Sequence, residues 1–140
     1  MLTFFIDTES EIIIEKYTRV SRISNIANLM VNIWEHPDYD QNYDRVVDFQ
    51  EVDLVFSREE FQNFIKIIKE NDQSMRGRAA VMVQTPTAAA ITTLYEDEMN
   101  HMHTVGIFAS ESEVMNFLNI DDSIFSKIDG SEAVTIHLEQ

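Results

Sequence analysis

Short apolar runs alternate with longer amphipathic stretches along most of the chain. The runs cover residues 2–6, 11–18, 45–49, 79–83 and 104–108, and they are rich in Ile, Val and Phe. Runs of this length and composition are typical of β-strands. The run at 79–83 contains no polar residue, which favours a strand that is covered on both faces. The first two runs are separated by a polar turn and predict an N-terminal hairpin.

Apolar residues recur at helical spacing between these runs. The pattern after Ser21 predicts a helix that is capped by this serine and ends before Pro37. The clearest pattern follows Ser57, which forms a capping box with Glu60, and its apolar positions are Phe61, Phe64, Ile65 and Ile68. Both segments therefore predict amphipathic helices that bury one face.

Two more helix starts complete the alternation. Thr85 and Pro86 supply a cap and a proline at the first helical position, and Ser110 with Glu113 forms a second capping box. The order of elements is therefore two strands, then alternating helices and strands, with an extra strand at the end. This order predicts an α/β fold with a mixed, mostly parallel β-sheet and crossover helices.

The last twenty residues differ from the rest of the pattern. We interpret residues 1–119 as one domain and residues 120–140 as a C-terminal extension packed on the same domain. In the extension, Val134, Ile136 and Leu138 alternate with polar residues, as in a strand with one wet face. Because an uncovered strand edge invites pairing, we expect this strand to pair with a sheet edge or with a second chain. Pairing with a second copy, in a homodimer, is therefore one of the two alternatives.

Charge and cysteine content narrow the classes of partner. Twenty-five acidic residues stand against ten basic ones, giving a net charge of −15. Such a charge repels nucleic-acid phosphates and anionic membranes, so we expect neither as a partner. The absence of cysteine excludes disulfides and thiolate chemistry. We expect a cytoplasmic protein, because the N-terminus lacks a basic region and no apolar run reaches about 20 residues.

Motifs for catalysis and cofactor binding are missing from the sequence. The three glycines are isolated and cannot form a phosphate-binding loop, and no serine stands in a nucleophile elbow. We therefore expect a protein that is not an enzyme and needs no cofactor.

Three segments carry a family resemblance: residues 44–49, residues 86–96, and residues 105–108 followed by the helix at 113–118. In their order and spacing, they resemble the STAS fold of sulfate transporters and anti-sigma-factor antagonists. The chain is most similar to bacterial SpoIIAA-like proteins of uncertain role, and the resemblance covers residues 1–119. It implies a non-enzymatic regulatory or protein-interaction module whose partner the sequence does not identify.

The resemblance also implies a regulatory serine. In the antagonist branch, a serine at the start of the second helix is phosphorylated to switch partner binding, and a strand residue lies nine positions upstream. Asp48 and Ser57 have this spacing. Phe56 stands where the family has an aspartate, and Arg58 and Glu59 replace the small residues that follow. The alternative is that Ser57 only caps its helix.

Two acidic segments have features of metal sites. The segment 38–44 places oxygen ligands at alternate positions like a calcium loop, but Tyr43 and Phe49 occupy the positions that need Gly and Glu. We interpret it as an acidic turn whose tyrosines pack on the core. Acids and histidines also cluster at Glu96, Glu98, His101 and His103. Two histidines without a fixed third ligand fall short of a typical site, so we expect no metal.

Ligands of parallel sheets gather at the carboxyl ends of the strands, which places the candidate site there. The loops concerned are residues 49–57, 84–87 and 109–111. We expect a protein partner to contact this edge, with Ser57, Asp48, Thr85 and Ser110 as candidate regulatory or binding residues. The alternative is a small apolar or amphipathic ligand held between the sheet and the helices, in a pocket around Trp34, Phe61 and Tyr95.

Overall fold

A six-stranded mixed sheet forms the centre of this computed structural model, which describes residues 1–71 and 76–137. The strands are β1 (Leu2–Asp7), β2 (Ile12–Thr18), β3 (Asp44–Glu51), β4 (Ala79–Val83), β5 (Val105–Phe108) and β6 (Val134–Ile136). They lie in the order β5-β4-β3-β2-β1-β6. β2 to β5 are parallel, whereas β1 is antiparallel to both β2 and β6. The predicted mixed, mostly parallel sheet is confirmed.

Helices connect the parallel strands and cover both faces of the sheet. They are α1 (Ile23–Trp34), α2 (Arg58–Glu70), α3 (Pro86–Met99), α4 (Glu111–Leu118) and α5 (Ser123–Ser126), and a 3₁₀ turn (Lys127–Asp129) follows α5. The crossovers between β2, β3, β4 and β5 are α1, α2 and α3, in that order. The crossover helices predicted from the alternation are thus present.

The strands alternate between two cores because successive side chains of a strand point to opposite faces. In β2, Ile13 belongs to the core under α1, α2 and α3, which we call the large core. Its neighbours Ile12 and Ile14 belong to a smaller core under α4 and α5, together with Val114 and Ile124. Burial on both faces explains the unbroken apolar sequence of β4.

The start of α1 differs from the prediction. Arg22, not Ser21, occupies the N-cap position, and its side chain makes no capping hydrogen bond. The carbonyl of Ser21 instead accepts the N–H of Val55 at 2.8 Å. Ser21 and Arg22 are therefore part of an extended segment that bridges to Val55 in the loop after β3, and the helix begins one residue later than a cap at Ser21 would place it.

The C-terminal extension joins the main sheet. Val134 and Ile136 of β6 pair with Phe4 and Leu2 of β1, and Ile124 of α5 is buried in the smaller core. The predicted strand thus covers the β1 edge within the same chain. Leu138, predicted in the same strand, lies outside the described residues.

Candidate functional site

Three helices begin at the carboxyl edge of the parallel strands, each with a hydroxyl cap. Ser57 accepts the N–H of Glu60 at 3.1 Å, and Thr85 accepts that of Ala88 at 3.1 Å. Ser110 accepts the N–H of Glu113 at 3.3 Å. The three caps predicted from the sequence are confirmed. Each cap satisfies one of the N–H groups that a helix start leaves unpaired.

The loop between β3 and α2 presents one apolar side chain to solvent. Val52 and Leu54 are buried, whereas Val55 is 68% exposed. The hydroxyl of Thr85 donates to the carbonyl of Val52 at 3.1 Å, and the N–H of Val55 donates to Ser21. The half-buried ring of Phe56 packs at 6.5 Å from that of Phe61. The loop is therefore anchored on both sides of Val55.

Asp48 and Ser57 lie on opposite faces of the sheet. Asp48 lines a small pocket with Lys16 and Gln50 on the face that α4 and α5 cover. Its carboxylate accepts the N–H of Gln50 at 2.9 Å, and burial raises its pKa above the ordinary value. Ser57 begins α2, which packs on the other face. The spacing of nine residues therefore does not bring the two side chains together.

A cavity of about 50 Å³ lies between the sheet and α1, α2 and α3. Of the three residues predicted around such a pocket, Tyr95 lines this cavity, together with Phe64, Met30 and Tyr17. Trp34 and Phe61 pack elsewhere against the large core. Phe64 lies almost one helical turn after Phe61 on α2, and it is this later ring that reaches the cavity.

A buried ion pair beside this cavity was missed by the sequence analysis. Glu15 is 0% exposed and Arg45 is 6% exposed. The guanidinium of Arg45 binds both carboxylate oxygens, with Nη2–Oε1 at 2.8 Å and Nε–Oε2 at 2.5 Å. The hydroxyl of Tyr17 donates to Oε1 at 2.9 Å. The carboxylate is thus matched by three donors, which is what a buried charge requires.

The Glu15 carboxylate keeps Arg45 charged, and burial keeps the tyrosines of this cluster neutral. Burial would lower the pKa of Arg45, but the charge and hydrogen bonds of Glu15 raise it above its ordinary value. Burial, followed by the Glu15 charge, raises the pKa of Tyr17 well above its ordinary value. Burial also raises the pKa of Tyr95. The two tyrosines therefore stay neutral and serve as donors.

His103 extends this buried polar cluster through its contact with Tyr95. Its Nδ1 lies 3.3 Å from the carbonyl of Gly77, and its Nε2 lies 3.0 Å from the hydroxyl of Tyr95. A carbonyl only accepts, so Nδ1 carries the proton and Nε2 accepts from Tyr95. Burial and the nearby Arg45 lower the pKa of His103 to about 4. The ring is therefore neutral at pH 7 and links α3 to the turn before β4.

The segment 38–44 packs as predicted for an acidic turn. Tyr39 and Tyr43 lie against the large core. Asp44 binds Arg78 with Oδ2–Nη2 at 2.7 Å, and the N–H of Arg76 donates to Gln41 at 2.8 Å. A Cβ on Gly77 would lie 2.0 Å from the carbonyl oxygen of Tyr43, so this close approach needs glycine.

The acidic and histidine side chains that cluster in the sequence from Glu96 to His103 do not come together in the structure. α3 ends at Met99, and of the histidines that follow, His101 is exposed whereas His103 is buried. Glu98 pairs with Lys69 of α2 at 3.4 Å. Within residues 1–71 and 76–137, no group of three or more His, Asp or Glu side chains is placed to hold a metal ion. Among the helices of these residues, none combines the length and the hydrophobicity that a membrane-spanning segment needs.

Comparison with known proteins supports the fold. No family model matches the chain, and no curated protein matches it. Among solved structures, it is similar to an uncharacterised protein of the DUF3478 family with a SpoIIAA-like fold from Shewanella loihica PV-4. The TM-score is 0.53 at 11% identity, covering 84% of this chain and 93% of that chain. The chain has a SpoIIAA-like fold, as the sequence predicted.

Proposed function

We propose that this chain is a non-enzymatic protein-interaction module of the anti-sigma-factor-antagonist kind. Its contact surface is the loop between β3 and α2, with Val55 at the centre. The observation that supports this proposal is the 68% exposure of Val55 in a loop whose other apolar side chains, Val52, Leu54 and Phe56, are buried or half-buried. A side chain held in place before binding loses little conformational freedom in a complex, which favours affinity.

The surroundings of Val55 define the chemistry of the partner. Asp53 and Ser57 are exposed beside it, and the exposed Arg22 forms an ion pair with Glu60 of α2. An apolar centre with a polar, charged rim is the usual anatomy of a protein interface. Because the chain carries a charge of −15, a neutral or basic protein face suits it better than nucleic acid or an anionic membrane.

Phosphorylation of Ser57 is the form of regulation that the resemblance implies. A phosphate there would be stabilised by the positive end of the α2 dipole and repelled by Glu59 and Glu60. It would also place about two negative charges beside Val55. We therefore expect the modification, where it occurs, to weaken an apolar contact at Val55. Mass spectrometry of Ser57 peptides from the native host, with and without phosphatase treatment, checks whether the modified form exists.

Photo-crosslinking in the native host tests the contact surface. A benzophenone amino acid replaces Val55 in one variant and Leu94 in the matched control, because Leu94 is the other large exposed apolar residue described, at 42% exposure on α3. The proposal predicts a covalent adduct with one protein at position 55 and none with it at position 94. No adduct at position 55, or the same adducts at both positions, would contradict it.

The cavity under α1, α2 and α3 favours a second candidate function, binding of a small apolar ligand. Its lining is almost entirely apolar, with Phe64, Ile91 and Val81 among the contacts, and its volume is about 50 Å³. An engineered cavity of about 150 Å³ holds benzene, so this one fits only a smaller guest unless the helices move. Native mass spectrometry of protein from the host tests this candidate, since a bound molecule adds a defined mass. An unmodified mass throughout would count against it.

A further inference from the structure

A groove of about 610 Å³ opens at the carboxyl end of β2, and Val55 is not among its lining residues. We call it the Lys16 groove, and its wall includes Lys16, Thr18, Arg19, Glu51, Ile128 and Asp129. Ligand sites typically enclose about 300–1,000 Å³, so the groove has the size of a site for a small molecule. A second pocket of about 190 Å³ adjoins it, shares Lys16, Ile128 and Asp129, and adds Asp48.

Two polar groups of the groove make no hydrogen bond to the described residues. The ammonium group of the half-buried Lys16 forms no hydrogen bond or close ion pair within residues 1–71 and 76–137, and its charge acts on Asp48 in the adjoining pocket. The hydroxyl of Thr18 is buried and also unpaired in this part of the chain. The main-chain N–H of Thr18 donates to the carbonyl of Met1 at 2.9 Å, and its carbonyl accepts from the amino group of Met1 at 2.5 Å. Among the described residues, the hydroxyl is therefore the one polar group of Thr18 without a hydrogen bond. Buried polar groups without partners are rare in folded proteins, and a ligand is one way to satisfy them.

The backbone brings a third polar side chain to the same place. The register between β2 and β3 shifts between Lys16 and Thr18, and Arg19 has a φ of 57°. Strand irregularities of this kind redirect side chains and occur next to functional sites. A left-handed backbone is uncommon for arginine. Lys16 and Thr18 share a face of β2 through regular strand alternation, and the left-handed backbone at Arg19, just after β2, adds a third side chain to the same groove.

The charges of the groove select the class of ligand. Its cations are Lys16, Arg19 and the amino group of Met1, which donates to the carbonyl of Thr18, and its carboxylates are Glu51 and Asp129. A phosphate would be repelled by the two carboxylates and by the field of a chain with charge −15, and a simple amine would be repelled by the cations. We propose that the Lys16 groove binds a small zwitterion of the amino-acid class. The carboxylate of the ligand pairs with Lys16 and Arg19, and its ammonium group pairs with Asp129 or Glu51.

Isothermal titration calorimetry with the whole chain tests this site. The probes are glycine, alanine, glutamine, glutamate and lysine, with acetate, methylamine and inorganic phosphate as comparison ligands. At least one amino acid is expected to bind, and each comparison ligand to bind about tenfold more weakly or not at all. The proposal is overturned when no amino acid produces heat of binding, or when phosphate or acetate binds as tightly as the best amino acid.

Variants locate the binding. Lys16→Met removes the ammonium group and keeps the aliphatic stem, and Lys66→Met makes the same change at an exposed position of α2 outside the groove. The first is expected to weaken binding about tenfold or more, and the second to leave it unchanged. Equal affinity of the two variants would overturn the proposal. Thr18→Val provides a second test, because it keeps the shape of the side chain and is expected to weaken binding as well.

Discussion

Glu15 and Arg45 are 30 residues apart in the sequence and form a two-point ion pair in the large core. They belong to the neighbouring parallel strands β2 and β3. The pair links these two strands, and Arg45 lines the wall of the cavity. A buried ion pair adds little net stability, because removing two charges from water costs free energy that their attraction only offsets.

Removing one partner of this pair is expected to destabilise the fold strongly. Arg45→Met leaves the Glu15 carboxylate buried without its cation, and the expected loss in free energy of unfolding is about 3–5 kcal/mol. Replacing both, as Glu15→Leu with Arg45→Met, is expected to recover much of that loss. Urea denaturation measures both. Lys69→Met serves as control, because it breaks an exposed pair and costs about 1 kcal/mol or less. A double variant as unstable as the single one would contradict the account.

Because of His103, the free energy of unfolding is expected to decrease as the pH is lowered. Its pKa is about 4 in the folded protein, against about 6.5 in an unfolded chain. Between these values the unfolded state binds more protons, so the free energy of unfolding decreases as pH falls from about 6.5 toward 4. The contribution of this residue reaches about 3 kcal/mol at most.

The variant His103→Gln isolates this effect, since glutamine does not titrate. Its free energy of unfolding, measured by urea denaturation across the same pH range, is expected to depend less steeply on pH than that of the native sequence. The exposed His101 provides the control, and His101→Gln is expected to keep the native pH dependence. Identical pH profiles for His103→Gln and the native sequence would refute the prediction.

Gly77 is expected to tolerate no side chain. A Cβ at this position would lie 2.0 Å from the carbonyl oxygen of Tyr43, so Gly77→Ala has to displace the main chain of the acidic turn. The expected cost is about 1–3 kcal/mol or more. Gly130→Ala is the matched control, since its nearest contact is 3.3 Å and its φ is −79°. Thermal melting compares the two, and equal melting temperatures would show that the turn is more adaptable than its geometry indicates.

The cap at Ser57 is expected to contribute about 1 kcal/mol to stability. Ser57→Ala removes the acceptor for the N–H of Glu60, whereas Ser57→Asp keeps an acceptor and adds charge at the favourable end of α2. The aspartate variant is therefore expected to melt close to the native temperature and the alanine variant below it. Matching losses in both variants would mean that the hydroxyl has a further role.

The helices, and the order of strands and helices along the chain, could be predicted because their signals are local. The capping box of Ser57 and Glu60, followed by Phe61 at the first buried position, determines where α2 begins. The prediction that failed at Ser21 also has a clear cause. The carbonyl of Ser21 is engaged by Val55, a residue far along the chain, and no local pattern contains that contact.

The polar cluster could not be predicted because its members come together only in the folded sheet. Glu15 stands between Ile14 and Lys16, where a charged residue usually indicates a wet strand face. One signal was present, since Glu15 shares its strand face with Ile13 and Tyr17, both buried in the large core. The Lys16 groove likewise depends on tertiary structure, because β2, Glu51 of β3 and the 3₁₀ turn with Ile128 and Asp129 come together only in the folded chain.

The most direct test of the interaction surface is the affinity for the protein crosslinked at position 55. Titration calorimetry compares Val55→Asp with Leu94→Asp, which places the same charge on the exposed face of α3. We expect the first variant to weaken binding about tenfold or more and the second to change it less than about twofold. Equal affinities for Val55→Asp and the native sequence would contradict the assignment of this loop as the contact surface.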